Sequence, residues 1–357
     1  MKKIIVYFFI LGIISSCNKS DSEEYVEIST PVSVGTNPYQ KLSDYHFFTG
    51  NIKDLVANTG VFPYEPASGL FTDYADKKRY IWMPKNTMAN YVSDGEVLNF
   101  PENTVLIKVF YYKDVLPNHT QKIVETRLLI KKNTGWITAN YIWNAEQNEA
   151  YLNANAVVFP ISFQKSNGEQ ISINYKTPTN TECAYCHTLN NQLVPIGPKP
   201  QNLNWNLAYN EGNKNQITKL IEEGYLSSQN IPQNIVSVID YTNTNYPLKT
   251  RVRSYLDANC SYCHVDGGYA EEFNVRFSFN ESTSSSNLGI CKDAIHFVPG
   301  YNANKIIIPG VANQSILYYK MNTLNPNYMM PFVGKTIIHT EGVNLIEQWI
   351  NSLTDCN

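Results

Sequence analysis

One pentapeptide pattern, present twice, constrains this chain more than any other feature. Cys183-Ala184-Tyr185-Cys186-His187 and Cys260-Ser261-Tyr262-Cys263-His264 both read C-x-x-C-H. Two thiols three positions apart share one helical turn, and the next residue projects an imidazole from the same side. That arrangement suits a haem joined through its two vinyl groups as thioethers, with the histidine on the iron. The motifs therefore predict two haem c groups. One is bound by Cys183 and Cys186 with His187 as proximal ligand, the other by Cys260 and Cys263 with His264. A thioredoxin-like dithiol wants a βαβ setting and leaves the histidine without a role. A zinc ribbon built from all four cysteines needs pairs far closer in sequence than Cys186 and Cys260.

Thioether haem implies export, and the N-terminus agrees. Lys2 and Lys3 precede an apolar run, Ile4 to Ile14, that is too short to span a bilayer comfortably. The run ends in Ile14-Ser15-Ser16-Cys17, which resembles a bacterial lipobox. Residues 1–17 then form a lipoprotein signal peptide, with Cys17 acylated as the membrane anchor. Residues 18–36 read as a flexible tether, and Ser20-Asp21-Ser22-Glu23-Glu24 is similar to surface-export signals of outer-membrane lipoproteins. The expected location is the outer membrane, facing the periplasm or the cell surface. Thiols outside the cytoplasm tend to oxidise. Of the seven cysteines, Cys291 and Cys356 remain, either paired in a disulfide or buried as two separate thiols. A net charge of -3 gives no basic face for nucleic acid.

The predicted fold class is α+β and multidomain. Residues 37–178 read as a sandwich-like β domain. Thr104 to Tyr112, Ile123 to Ile130, Trp136 to Trp143, Val157 to Phe163 and Gln170 to Tyr175 are β-branched and aromatic runs between turn signals. The pattern then turns helical. Residues 179–247 form a first small haem domain with a helix at Asn213 to Glu223. Residues 248–357 form a second, with helices at Leu248 to Asn259 and Gly342 to Leu353, the last capped by Thr340.

Each iron has a second axial position. For the second haem it is assigned to Met330, stiffened by Pro331, with Met329 as the alternative. The first haem has no methionine between Cys186 and Met321. Its candidates are His46, His119, His296, His339, Met83, Met88 and Met321, or an open iron. The carbonyls of Gly197-Pro198 are candidates to accept the His187 Nδ1–H and fix its tautomer.

From Leu248 onward the chain resembles a class I cytochrome c domain: a leading helix, C-x-x-C-H, a Met330-Pro331 loop and a closing helix with Trp349. Residues 179–247 look like a truncated relative without the distal methionine. The whole mature chain resembles di-haem c-type cytochromes with an N-terminal β region. The matching stretches are Leu70-Phe71-Thr72-Asp73-Tyr74-Ala75, Ile81-Trp82-Met83-Pro84, Glu125-Thr126-Arg127-Leu128-Leu129, Pro195-Ile196-Gly197-Pro198-Lys199 and Met329-Met330-Pro331. The resemblance implies an electron-transfer lipoprotein that exchanges electrons with redox partner proteins. Two other functions stay open: a peroxidase-like haem enzyme using an open first iron, and a binding module with structural haems.

Overall fold

A computed structural model describes residues 30–356. The expected signal peptide, Cys17 and residues 18–29 of the expected tether lie outside the described residues. The chain is a mixed α+β structure built around one large antiparallel sheet. Two short strands, β1 (Phe48–Thr49) and β2 (Val56–Ala57), pair first. The sheet follows with β3 (Val61–Pro63), β4 (Asp76–Trp82), β5 (Val105–Val115), β6 (Thr120–Lys132), β7 (Gly135–Trp143), β8 (Ala150–Leu152), β9 (Val158–Gln164) and β10 (Gln170–Lys176).

These eight strands hydrogen-bond continuously in the order β10-β9-β5-β6-β7-β8, with β4 also on β5 and β3 on β4. The sandwich-like expectation is therefore corrected to a single branched sheet. β5 is long enough for one edge to serve two neighbours. It pairs with β4 along Val105–Tyr111 and with β9 at Val115.

Alternation along β5 sends side chains to two buried faces. Val105, Ile107, Val109 and Tyr111 pack with Leu42, Tyr45, Phe47 and Leu128 on one. Val32 and Val34 also pack there, so the end of the expected tether lies on the core. On the other face Leu106 joins Phe62, Ile81, Leu203, Ile217, Leu220 and Leu226. The last four belong to the segment expected to form an independent first haem domain. That segment shares its core with the sheet instead, so a first haem domain packed independently of the β region is not what the fold builds, whereas the buried residues of the core around Trp349 all come from 248–357. Full burial of each such aliphatic side chain contributes roughly 1.5–3 kcal/mol, which ties 179–247 to the β region.

The rest of the chain carries α1 (Asn180–His187), the hairpin β11 (Thr188–Leu189) and β12 (Gln192–Leu193), α2 (Pro200–Leu203), the hairpin β13 (Asn206–Tyr209) and β14 (Gly212–Asn215), α3 (Gln216–Glu222), α4 (Leu248–Asn259), α5 (Ser285–Leu288), α6 (Ile316–Met321) and α7 (Thr340–Ser352). Helix α7 begins at the residue expected to cap it, with His339 in the cap position. Val252, Tyr255 and Leu256 of α4 bury against Val343, Ile346, Trp349 and Ile350 of α7.

Cys291 and Cys356 are joined in a disulfide across a sequence separation of 65. On the chain-entropy account a loop of that size stabilises by about 4 kcal/mol. Cys291→Ser with Cys356→Ser is expected to lower the unfolding free energy by a large part of that amount, read as a lower denaturant midpoint. An unchanged midpoint under oxidising conditions would count against the link.

Candidate functional site

The first motif occupies α1, which starts on a capping box. Glu182 N donates to Thr179 Oγ1 at 3.1 Å, and Thr179 N donates to Glu182 Oε2 at 2.8 Å. Both first-turn donors are thereby satisfied, and the helix holds Cys183, Cys186 and His187 together. The β11–β12 hairpin folds back directly after His187. Val194 N donates to His187 O at 2.6 Å, and His187 Nδ1 lies 2.8 Å from Val194 O. The carbonyl that orients the imidazole is thus Val194, correcting the expectation of Gly197-Pro198. Those two carbonyls are occupied: Gly197 O accepts from Lys199 N and Asn202 Nδ2, and Pro198 O accepts from Leu98 N. Burial pulls His187 down to about 4 against the opposing effect of the Val194 carbonyl, so the ring is neutral, as a metal ligand must be.

The second motif follows α4 without a break. Cys260 N donates to Leu256 O at 2.8 Å, and His264 N donates to Cys260 O at 3.0 Å. Ser261 Oγ anchors the turn on Asp257 O at 2.6 Å. His264 packs against Phe273 and Phe277, and burial lowers it to about 4. Its Nδ1 is buried without a hydrogen-bond partner among the described residues. All four motif cysteines are free thiols. Among the described residues no three His, Cys, Asp or Glu side chains converge as a bare metal site.

Each motif opens onto a concave pocket, partly open to solvent. The second is apolar. It contains Cys260, His264 and Met330, with Phe273, Phe277, Ile306 and Leu317 among its walls. Met330 borders this cavity and Met329 does not. Lys335 Nζ donates to Met330 O at 3.2 Å and to Met321 O at 2.8 Å, fixing the backbone of the methionine loop. Buried Asp73 fastens the far end of that loop, accepting from Thr336 N at 2.7 Å, Thr336 Oγ1 at 2.8 Å and Ile337 N at 3.3 Å.

The first cavity lies between α1 and the sheet. Cys183, Cys186 and His187 face Leu106, Lys108, Arg127, Leu129, Thr138 and Asn140 of β5, β6 and β7. None of the seven histidines and methionines proposed for its iron borders it. His296, His339 and Met321 stand at the second cavity. His339 is engaged there, stacked on Phe71 at 4.1 Å with its Nδ1 3.1 Å from Tyr255 Oη. Met83 is in the sheet core, Met88 is exposed, and His119 pairs with Asp114. His46 is half-buried in the N-terminal segment.

The two sites touch. Cys263 Sγ of the second motif lies 3.4 Å from Tyr185 O of the first. Cys186 and Cys263 act on each other, the first thiol being pulled down and the second pushed up. Tyr262 of the second motif borders the first cavity, and Phe71 and Pro331 border both.

Sequence reading missed the residues of the sheet wall and the Asp73 clamp. Thr179-x-x-Glu182 was a visible helix-start signal. Lys108, at period two between Leu106 and Phe110, was a visible inward charge.

No protein-family model, curated protein or solved structure matches the chain.

Proposed function

We propose that this chain is a di-haem c-type cytochrome, exported and anchored through lipid on Cys17, that passes electrons between redox partner proteins at the outer membrane. The observation that carries the reading is the contact between the two C-x-x-C-H segments, with Cys263 Sγ 3.4 Å from Tyr185 O. Groups held by those cysteines would be attached to adjoining segments, which suits electron exchange between them. The residues present fit the cofactor. Each site offers two free thiols on one turn, a neutral buried imidazole and a cavity against it. Bound haem supplies reversible one-electron chemistry.

Cys183 and Cys186 hold the first group and Cys260 and Cys263 the second. His187 and His264 serve as proximal ligands, and Met330 as distal ligand at the second site. Within this reading 248–357 is a class I cytochrome c-like unit and 179–247 a reduced one completed by the sheet. The Cys291–Cys356 disulfide suits an oxidising compartment. Among the described residues no helix is long and apolar enough to cross a membrane.

The test is mass measurement and a pyridine haemochrome assay on protein matured in a host that performs cytochrome c biogenesis. The expected result is two covalent haems per chain, both cycling reversibly between ferric and ferrous states. Protein that weighs no more than its lipidated polypeptide and lacks a Soret band overturns the reading. A second reading, a peroxidase-like enzyme, is favoured by one observation: His187 is the only histidine or methionine bordering the first cavity among the described residues. It requires carbon monoxide binding at the reduced first haem and peroxide-dependent turnover of an electron donor. Without both, the electron-carrier reading stands.

A further inference from the structure

The floor of the first cavity carries a row of cations. Cross-strand register sets Arg79 of β4 opposite Lys108 of β5, Lys108 opposite Arg127 of β6, and Arg127 opposite Asn140 of β7. All four border the cavity. Like charges directly opposite on neighbouring strands repel, and a buried cation without a counter-charge is costly. Arg127 has its own carboxylate: its Nε donates to Glu125 Oε2 at 2.9 Å, and Tyr175 Oη donates to the same fully buried group.

The other two have none. Arg79 is only 9% exposed, and neither it nor Lys108 has a side-chain hydrogen bond or ion pair among the described residues. Lys108 Nζ rests 5.0 Å over the Phe110 ring. The carboxylate that acts on Arg79 is the exposed Glu65, and the one that acts on Lys108 is Glu125, already committed to Arg127. Lys77, on the same face, donates to Leu70 O at 2.9 Å.

The row also has a direction. At one end Asn140 Nδ2 meets Cys183 Sγ at 3.8 Å. Arg79 stands three strand spacings away, about 14 Å at ~4.8 Å each. A porphyrin tethered by its vinyl edge at the cysteines carries its two carboxylates on the opposite edge. Resting on the haem reading above, we infer that Arg79 and Lys108 seat the two carboxylates of the first haem, so that the β sheet recognises the anionic edge of a cofactor whose covalent attachment lies on α1. The β region is then half of the first site.

Potentiometry of the holoprotein tests this with the second haem as internal reference. Removing positive charge beside a haem disfavours the ferrous form. Arg79→Gln with Lys108→Gln is expected to shift the first haem's ferric-to-ferrous equilibrium about tenfold toward ferric. For one electron that equals a fall of about 59 mV. The second haem should not move, and Arg79→Lys with Lys108→Arg should restore most of the shift.

Two attached haems with an unchanged first potential overturn the inference while leaving the haem reading intact. Absence of haem from the wild-type protein defeats both. If the neutral variant does not accumulate, resonance Raman of Arg79→Lys decides. The arginine fork matches a carboxylate and an ammonium does not. The carboxylate-bending mode of one haem is therefore expected to shift, and no shift at either haem overturns the inference.

Discussion

On the di-haem reading proposed above, Met330→Ala is expected to lower the potential of the second haem by on the order of 100 mV, a fraction of the ≈ 0.8 V that axial ligands command. Thioether sulfur favours ferrous iron, so its loss would favour the ferric state. The same change should abolish the thioether-to-iron charge-transfer band and admit carbon monoxide. Met329→Ala is the internal control. Met330 borders the cavity that contains His264, and Met329 does not. Its substitution should leave potential and spectrum nearly unchanged. Equal effects from the two variants, or none from Met330→Ala, would show the ligand to be misassigned. The remaining thioether at that cavity belongs to Met321, which is buried in the α4–α7 core and is the fallback in that event.

Local pattern made part of this protein legible. The run Thr104 to Tyr112 announced β5, and the spacing of Val252, Tyr255 and Leu256 announced α4 over the residues it occupies. Failures began where a neighbour decided the outcome. Helix α3 starts later than expected because Gly212–Asn215 pairs with Asn206–Tyr209, leaving Asn215 to cap the helix through Ile217 N at 3.0 Å. Strands were visible, but their partners were not. Pairing β4 and β9 to one edge of β5 is a long-range choice that merges an expected sandwich into one sheet.

The candidate sites divide the same way. Cysteines and histidines within a pentapeptide are local and therefore readable. Arg79, Lys108 and Arg127 lie on three strands and form a row only after the register is set. The Val194 carbonyl reaches His187 only because a two-residue turn at Asn190-Asn191, both at positive φ, reverses the chain.

Asp73→Ala is expected to destabilise the protein by about 2–5 kcal/mol and, on the di-haem reading, to weaken Met330 ligation in the same step. Asp73 is 2% exposed and accepts three hydrogen bonds from Thr336 and Ile337. Truncation strands those donors in a buried place, at roughly 1–3 kcal/mol for each unsatisfied group. Asp73 reaches them because residues 70–75 turn sharply, with Asp73 at φ 46 and Tyr74 at φ 60, while Tyr112 Oη donates to Asp73 O at 2.9 Å. The clamp thus runs from the sheet through Asp73 to the loop that begins at Met330. Its loss should loosen the thioether and lower the second potential in the direction of Met330→Ala. In the double variant the shift in potential should fall short of the sum of the singles, since both act on one bond. Asp73→Asn keeps an acceptor for Thr336 N and should fall between. Denaturant midpoints and potentiometry on the same samples decide it. A destabilised Asp73→Ala protein whose second haem keeps its potential would mean that Lys335, through Met330 O and Met321 O, holds the loop by itself.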